Sequence, residues 1–214
     1  MDELAAGLWR WTGRHPDWTP AEGGPEGWPE EVGSYFYEAP NAVVLFDPLV
    51  PPEDPDRFWS ALDRDVARLA RPVVVLLTVH WHVRSTAEIL ARYEGATVWA
   101  LEAALAELGS LGPMRSFRIG DELPGDIGAF ASPGDEAIFW VPSLQALVTG
   151  DSILGADEGG LRIPDSWLPE ELRGEPIRRA HRPLLELPVE RVLVTHGEPV
   201  LEDAHAALER LLAA

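Results

Sequence analysis

Apolar positions along the chain follow two different periods. Short apolar runs at Val43–Phe46 and at residues 72–77 are typical of strands, and the second run, rich in β-branched residues, is typical of a strand buried on both faces. Between them, residues 56–70 place apolar side chains at helical spacing with charge on the opposite face, which predicts a surface helix. The same spacing predicts three further helices, at residues 86–93, 100–108 and 202–212. The alternation indicates a mixed α/β domain.

The rest of the chain divides into strand-rich and irregular parts. From residue 117 to residue 149, short apolar runs follow one another without room for helices. Residues 1–33 are rich in Trp, Pro and Gly, so we predict irregular structure there with one strand near residues 8–11. Residues 152–190 contain repeated prolines, which predicts an inserted loop. We expect a single domain over residues 1–214, with these two segments as additions to it.

Two histidines one residue apart follow directly after the apolar run at residues 72–77. His80 and His82 are therefore expected in a loop at the carboxyl end of a buried strand. After them, Ser85 and Glu88 have the spacing of a capping box, in which the Ser85 hydroxyl accepts from the Glu88 amide at the start of a helix. A strand, a His-x-His loop and a helix in this order indicate a candidate metal site, because imidazole is a common ligand of zinc and iron.

The order of motifs along the chain resembles the metallo-β-lactamase superfamily, whose His-x-His-x-Asp-His motif occupies such a loop. Four other segments are similar to superfamily elements in the same order: a strand that ends in Asp47, the Pro-Gly element before Asp135, the Gly-Asp pair at Asp151 and the His-Gly pair at His196. The resemblance runs from about Gly33 to the last residues. It implies a four-layered αββα sandwich, with Asp47 as a residue that supports the metal ligands.

The departures from the superfamily motif fall on metal ligands. The resemblance implies that Arg84 and Ser85 stand where the second metal site has a carboxylate and an imidazole. Arginine stays protonated and cannot ligate a cation, so a second metal is not expected. The remaining set suits one divalent cation, zinc foremost, with iron, manganese or no metal as the alternatives. The candidate ligands are His80, His82, Asp135, Asp151 and His196.

Two side chains are the candidates for the chemical step. In a hydrolase, Asp151 would orient or deprotonate a water at the metal. Arg84 places a fixed positive charge beside it, and we expect the two side chains to form an ion pair. Arg84 would also stabilise a developing oxyanion in place of the second metal. The candidate catalytic residues are therefore Asp151 and Arg84.

Several of these residues have a structural alternative. Asp135 follows Pro-Gly and fits a turn residue whose side chain bonds its own backbone. Trp81, between the two histidines, points either into the pocket or into the core. Trp167, in the inserted loop that is expected to overhang the site, either contacts the substrate or only pins the loop to the surface. The histidines without motif context are expected on the surface: His15, His181 and His205.

Composition narrows the classes of partner. The net charge of -19 disfavours nucleic acids, which bind basic surfaces, so we expect a small-molecule substrate. The chain has no cysteine, so any metal must be held by nitrogen and oxygen. All 17 basic residues are arginine, which excludes lysine chemistry such as a Schiff base. The sequence shows neither a signal-peptide pattern nor an apolar run that could span a bilayer, so we expect a cytoplasmic protein without a membrane partner.

Two functions fit these observations. The first is a mononuclear metal-dependent hydrolase of a small ester, lactone, amide or thioester. The second is a catalytically inactive, metal-free protein of the same fold that binds or scaffolds, with its histidines in a hydrogen-bonded cluster. The position of Asp135 discriminates between them, since a ligand there supports the enzyme and a turn residue does not. We favour the hydrolase, because the loss of ligands is concentrated in the second metal site.

Overall fold

A seven-stranded β-sheet is the largest of three sheets in the computed structural model, which describes residues 1–109 and 111–213. Its strands, in both chain and spatial order, are β1 (Asp2–Ala5), β2 (Leu8–Arg14), β3 (Glu31–Glu38), β4 (Val43–Phe46), β5 (Val73–Leu76), β6 (Thr97–Leu101) and β7 (Met114–Phe117). Neighbouring strands are antiparallel from β1 to β4. They are parallel from β4 to β7, so the carboxyl ends of β4 and β5 meet at one edge.

The second sheet and a hairpin come from the later part of the chain. The remaining strands are β8 (Gly128–Ser132), β9 (Glu136–Val141), β10 (Ala146–Thr149), β11 (Leu154–Ala156), β12 (Gly160–Arg162) and β13 (Arg191–Val194). Four of them form a sheet in the order β13-β10-β9-β8, antiparallel except for the parallel pair of β10 and β13. The hairpin of β11 and β12 stands apart from both sheets.

Five α-helices connect or flank the strands within the described residues. They are α1 (Pro55–Leu69), α2 (Thr86–Arg92), α3 (Leu105–Leu108), α4 (Glu175–His181) and α5 (Ala204–Ala213). Helix α1 begins where the Asp54 side chain accepts from the Arg57 amide, and it ends at Ala70 in a left-handed conformation. In the part of the chain that the structure describes, every helix is too short or too polar to cross a bilayer.

The strands bury apolar side chains on both faces, which produces four layers. Successive side chains of a strand point to opposite faces, so Leu45 of β4 packs with Leu62 of α1, whereas Phe46 faces the other sheet. There the rings of Phe46 and Phe139 lie 5.7 Å apart between the two sheets. The outer face of the smaller sheet packs against α5 through Leu208. The predicted αββα sandwich is confirmed.

The first 33 residues are more regular than predicted. Instead of one short strand, they contain β1, β2 and the start of β3, and β2 pairs with β3 along its whole length. Trp11 anchors β2 to the core, because its Nε1 donates to the Leu49 carbonyl at 2.7 Å. The stretch between β2 and β3, residues 15–30, is irregular and contains one 3₁₀ turn at Pro20–Glu22. Polar residues and a glycine in β2 obscure the alternation of apolar and polar positions that would predict a strand. Pairing with β3 sets the register of β2.

Two local predictions between residues 85 and 108 are wrong. The predicted helix at residues 100–108 is replaced by the end of β6, a 3₁₀ turn and the single turn of α3, since Ala100 and Leu101 pair in parallel with β7. The capping box at Ser85 is not formed either. Ser85 precedes α2, but its hydroxyl accepts from the Val50 amide at 3.0 Å and ties the helix to the chain after β4.

His181 is buried, contrary to the expectation of a surface position. It ends α4, is 1% exposed, and its Nε2 lies 3.0 Å from the Ser132 hydroxyl at the end of β8. Burial lowers the pKa of His181 to about 4. The short helix α4 therefore brings this ring into the interface between the inserted segment and the smaller sheet, which the local sequence does not reveal.

We expect His181 to make the protein sensitive to mild acid. Because its pKa in the folded state lies below the ordinary value of 6.5, its contribution to stability is complete above that pH and is lost as the pH falls towards 4. Between pH 7 and pH 5 this amounts to about 2 kcal/mol of unfolding free energy. Denaturant unfolding of His181→Gln should show a loss smaller by that amount, and an equal loss in both proteins would contradict the assignment.

Candidate metal centre

Asp47 joins the carboxyl ends of two neighbouring strands. It follows β4 in a left-handed conformation, with φ of 44°, and its side chain is buried. Its Oδ1 accepts from the Thr78 amide at 2.9 Å, and its Oδ2 accepts from the Thr78 hydroxyl at 2.6 Å. Thr78 follows β5, so this carboxylate ties the ends of β4 and β5 together at the sheet edge where the site lies.

His82 is oriented by a carboxylate on each side. The ring is buried, and its Nδ1 lies 3.0 Å from Asp47 Oδ2. Its Nε2 lies 3.3 Å from Asp151 Oδ1. A carboxylate behind the distal ring nitrogen is the usual partner of a metal-bound histidine, because it sets the tautomer and the direction of the ring. Asp47 has the supporting position that the resemblance implied.

Asp151 lies between two imidazoles. Its Oδ1 is 3.3 Å from His82 Nε2 and 3.2 Å from His196 Nε2, and neither contact is a hydrogen bond of regular geometry. The other oxygen, Oδ2, accepts from Trp81 Nε1 at 2.6 Å. Ligand atoms of His82, Asp151 and His196 all lie within 4.8 Å of one another. The three residues follow β5, β10 and β13, whose ends converge here.

The geometry of this cluster fits a metal ion. Two ligands at zinc bond lengths in a tetrahedral arrangement are separated by about 3.3 Å. The oxygen to nitrogen separations of 3.2 and 3.3 Å at Asp151 match that value. The buried Oδ1 has no hydrogen-bond partner among the described residues, so a cation would satisfy it. Two histidines and one carboxylate suit zinc or iron(II).

Glu136, which the sequence did not single out, holds the segment that carries Asp151. Its Oε1 accepts from the Gly150 amide and the Ser152 hydroxyl, at 3.2 and 2.7 Å. Its Oε2 accepts from the amides of Asp151 and Ser152, at 3.0 and 2.9 Å. Burial and the charge of Asp151 raise the pKa of Glu136 to about 7. The available signal was a charged residue at the start of the otherwise apolar strand β9.

Charges at the cluster differ between the two histidines. Burial disfavours the charged ring of His82, but Asp151 and Asp47 outweigh it and raise the pKa of His82 to about 9. Burial lowers the pKa of His196 to about 4 although Asp151 opposes it. Burial also opposes the charged form of Asp151, but the two histidines hold the pKa of that carboxyl well below its usual range. Asp151 is therefore ionised between a charged and a neutral imidazole.

Arg84 does not form the predicted ion pair with Asp151. Its NH1 donates instead to the carbonyls of Gly33 and Asp47, at 3.0 and 2.9 Å. Arg84 has a left-handed backbone with φ of 37°, which turns the side chain under the site towards β3 and the end of β4. Burial lowers the pKa of Arg84, yet guanidinium keeps its proton in proteins. It places fixed positive charge beside the cluster without contacting Asp151.

Two predicted ligands lie outside the cluster. Asp135 is exposed in the turn between β8 and β9, where it has a φ of 61°. His80 is half-buried, and its ring lies 4.5 Å from the Trp81 ring. His80 and His82 share one 3₁₀ turn, in which residues two apart point to different sides, so only His82 faces Asp151. The structure thus changes the candidate set to His82, Asp151 and His196.

A cavity of about 600 Å³ opens onto the cluster. Trp81 points into this cavity and is 52% exposed, so it does not belong to the core. Trp167 also lines the cavity, and its Nε1 donates to the Glu26 carbonyl at 2.9 Å, so it both covers the site and anchors its loop. Among the remaining lining residues are His15, which was expected on the surface, and Trp28, which was not predicted. His205 lies elsewhere, half-buried against the Leu185 carbonyl.

No family model matches the chain, and no curated protein matches it significantly. Solved structures do match. A metallo-β-lactamase family protein from Thermus thermophilus is 19% identical, with a TM-score of 0.60 over 99% of this chain and 80% of that one. A metallo-β-lactamase from Pseudomonas aeruginosa in its mono-zinc form is 13% identical, with a TM-score of 0.63 over 99% and 93%. A flavodiiron protein from Giardia intestinalis is 13% identical, with a TM-score of 0.65 over 99% and 57%.

These similarities cover nearly the whole of the present chain and agree with its four-layered fold. At such low identities these similarities establish the fold alone, and the chemistry has to be argued from the residues of the site. The chain has the metallo-β-lactamase fold.

Proposed function

We propose that the protein is a mononuclear metal-dependent hydrolase of a small ester, lactone, amide or thioester. The observation that carries this proposal is the position of Asp151 Oδ1, buried and without a regular hydrogen bond at 3.2 and 3.3 Å from two imidazole nitrogens. The solved neighbour in its mono-zinc form supports a single metal in this fold. We propose zinc, with iron or manganese as alternatives, held by His82, Asp151 and His196.

The residues of the site would have different roles in hydrolysis. A bound divalent cation would polarise a carbonyl and lower the pKa of water. Asp47 fixes the ring of His82, and Glu136 fixes the backbone of Asp151, so the cluster is preorganised. Arg84, buried beside the cluster, provides positive potential that favours a developing oxyanion without a direct contact. The cavity above admits a small molecule, and the net charge of -19 disfavours nucleic acid substrates.

The second candidate is a metal-free binding protein. Its support is the arrangement of His82 between Asp47 and Asp151, in which two carboxylates balance an imidazolium and the neighbouring Arg84 without a metal. The positions of Asp135 and His80 also favour this candidate, because two of the ligands implied by the resemblance are absent from the cluster. A decayed site of this kind would keep the cavity and its aromatic walls for binding.

Metal content distinguishes the two candidates. We expect about one equivalent of zinc, iron or manganese in protein purified without chelators and without a histidine tag, since the cluster offers three ligands. Hydrolysis of p-nitrophenyl acetate, a thioester and a lactone should exceed that of chelator-treated protein and return when zinc is added. Failure to bind zinc supplied in excess, measured by equilibrium dialysis and elemental analysis, would exclude the hydrolase in favour of the metal-free protein.

A further inference from the structure

Three tryptophans surround the entrance to the candidate metal centre. Trp28, Trp81 and Trp167 all line the cavity of about 600 Å³. The rings of Trp28 and Trp167 lie 4.9 and 5.9 Å from the ring of His196. The indole nitrogens of Trp81 and Trp167 donate to Asp151 Oδ2 and to the Glu26 carbonyl, which holds these two rings in place. The cavity therefore has preoriented aromatic walls next to the cluster.

Exposed charge in the same cavity has one sign. The carboxylates of Asp17, Glu22 and Glu26 line it and are exposed. Among the described lining residues the one arginine is Arg84, which is buried and bonded to backbone carbonyls. Burial, followed by the charge of Arg84, lowers the pKa of His15, so this ring adds no positive charge near neutral pH. The positive groups that line the cavity, Arg84 and His82, are buried against backbone carbonyls and carboxylates, so the exposed carboxylates favour a cation over an anion at the entrance.

We propose that this cavity binds a small organic cation with a quaternary or methylated ammonium group, against the rings of Trp28 and Trp167. Aromatic faces attract such cations, and their weak hydration lowers the cost of leaving water. Asp17, Glu22 and Glu26 add long-range attraction. As a substrate, which rests on the hydrolase proposed above, the molecule would be an ester or amide of a quaternary amine, with its carbonyl towards His82, Asp151 and His196. An inorganic cation lacks the apolar surface that the indoles would cover.

Choline and its uncharged analogue 3,3-dimethylbutan-1-ol are matched probes for this site, because they share shape and differ in charge. Isothermal titration of the chelator-treated full-length protein should give a dissociation constant for choline at least about tenfold lower than for the alcohol, as an aromatic and acidic site requires. The absence of metal isolates cation binding from catalysis. Equal affinity for the two probes, or no binding of either, would overturn the proposal.

Variants assign the binding to the cavity. Trp167→Leu and Glu26→Gln should each weaken choline binding by about fivefold, one by removing an aromatic face and the other by removing a charge. Trp59→Leu is the matched control, since Trp59 lies on α1 and does not line the cavity. Thermal melts identify any variant that fails to fold, and Glu26→Gln, at an exposed position, remains as the second test. Choline binding that is insensitive to both cavity variants would place the site elsewhere and refute the proposal.

The two proposals fail in different ways. Choline binding to the chelator-treated protein tests the cation site alone, and zinc uptake tests the metal centre alone. Cleavage of acetylcholine by the zinc-loaded protein, at a higher kcat/KM than cleavage of 3,3-dimethylbutyl acetate, would support both. Binding of choline without zinc uptake would leave a cation-binding protein and refute only the hydrolase. Zinc uptake with preference for the uncharged ester would refute only the cation site.

Discussion

Replacing Asp151 with asparagine is expected to abolish metal binding at the cluster. Asp151 Oδ1 lies between His82 Nε2 and His196 Nε2. The substitution therefore leaves the cluster with two histidines and without its anionic ligand. Loss of a residue that only supports a ligand lowers metal affinity by about 10 to 100-fold, and loss of the ligand itself should exceed about 100-fold. Equilibrium dialysis with zinc, followed by elemental analysis, measures the effect directly.

Asp135→Asn is the control for Asp151→Asn. Both substitutions remove one carboxylate charge and keep the size of the side chain, but Asp135 is exposed in a turn away from the cluster. Asparagine also tolerates the left-handed backbone at position 135. Zinc affinity of Asp135→Asn should equal that of the unmodified protein. If Asp135→Asn lost zinc and Asp151→Asn kept it, the ligand set derived from the structure would be wrong.

Glu136→Gln is expected to have the largest effect on stability. The carboxylate accepts two donors at each oxygen, from Gly150, Asp151 and Ser152. A glutamine offers one oxygen, and its amide group would face two of these donors, which leaves buried polar groups unsatisfied. We expect the free energy of unfolding to fall by about 3 kcal/mol, as measured by denaturant titration.

Metal affinity provides a second readout for Glu136. Because its carboxylate holds the backbone amide of Asp151, Glu136→Gln should also weaken zinc binding by about 10 to 100-fold. The adjacent Asp135→Asn should change the unfolding free energy by no more than about 0.5 kcal/mol, as an exposed substitution. A stable Glu136→Gln protein with normal zinc affinity would show that the hydrogen bonds to Glu136 do not position Asp151.

Much of the architecture can be predicted from short apolar runs. Val43–Phe46 and residues 72–77 predict two strands, and the helical spacing of residues 56–70 predicts α1 within one residue at each end. These elements are predictable because each is stabilised by its own periodic burial. The prediction of one helix over residues 100–108 was wrong because Ala100 and Leu101 pair with β7, and such pairing depends on a distant partner.

Part of the site could also be predicted, because three of the candidate residues follow buried strands. His82, Asp151 and His196 each follow a buried strand, and the ends of neighbouring strands meet at an edge, so the sequence order already brings them near one another. Whether a side chain turns towards its neighbours depends on local torsions that sequence order does not contain. The 3₁₀ turn directs His80 away from Asp151, and the left-handed turn at Asp135 leaves that carboxylate in solvent.

The mixed α/β layout, the strand ends where the site lies and the strongly acidic character of the protein all follow from the amino-acid sequence, and the four-layered αββα arrangement is what its resemblance to the metallo-β-lactamase superfamily implies. Which side chains converge at the site depends on the folded chain. Arg84 could be assigned to backbone carbonyls, and Glu136 to the amides around Asp151, only from the tertiary contacts. The physical reason is that burial periodicity is local along the chain, whereas the direction of a buried polar side chain is set by donors and acceptors that folding brings from distant segments.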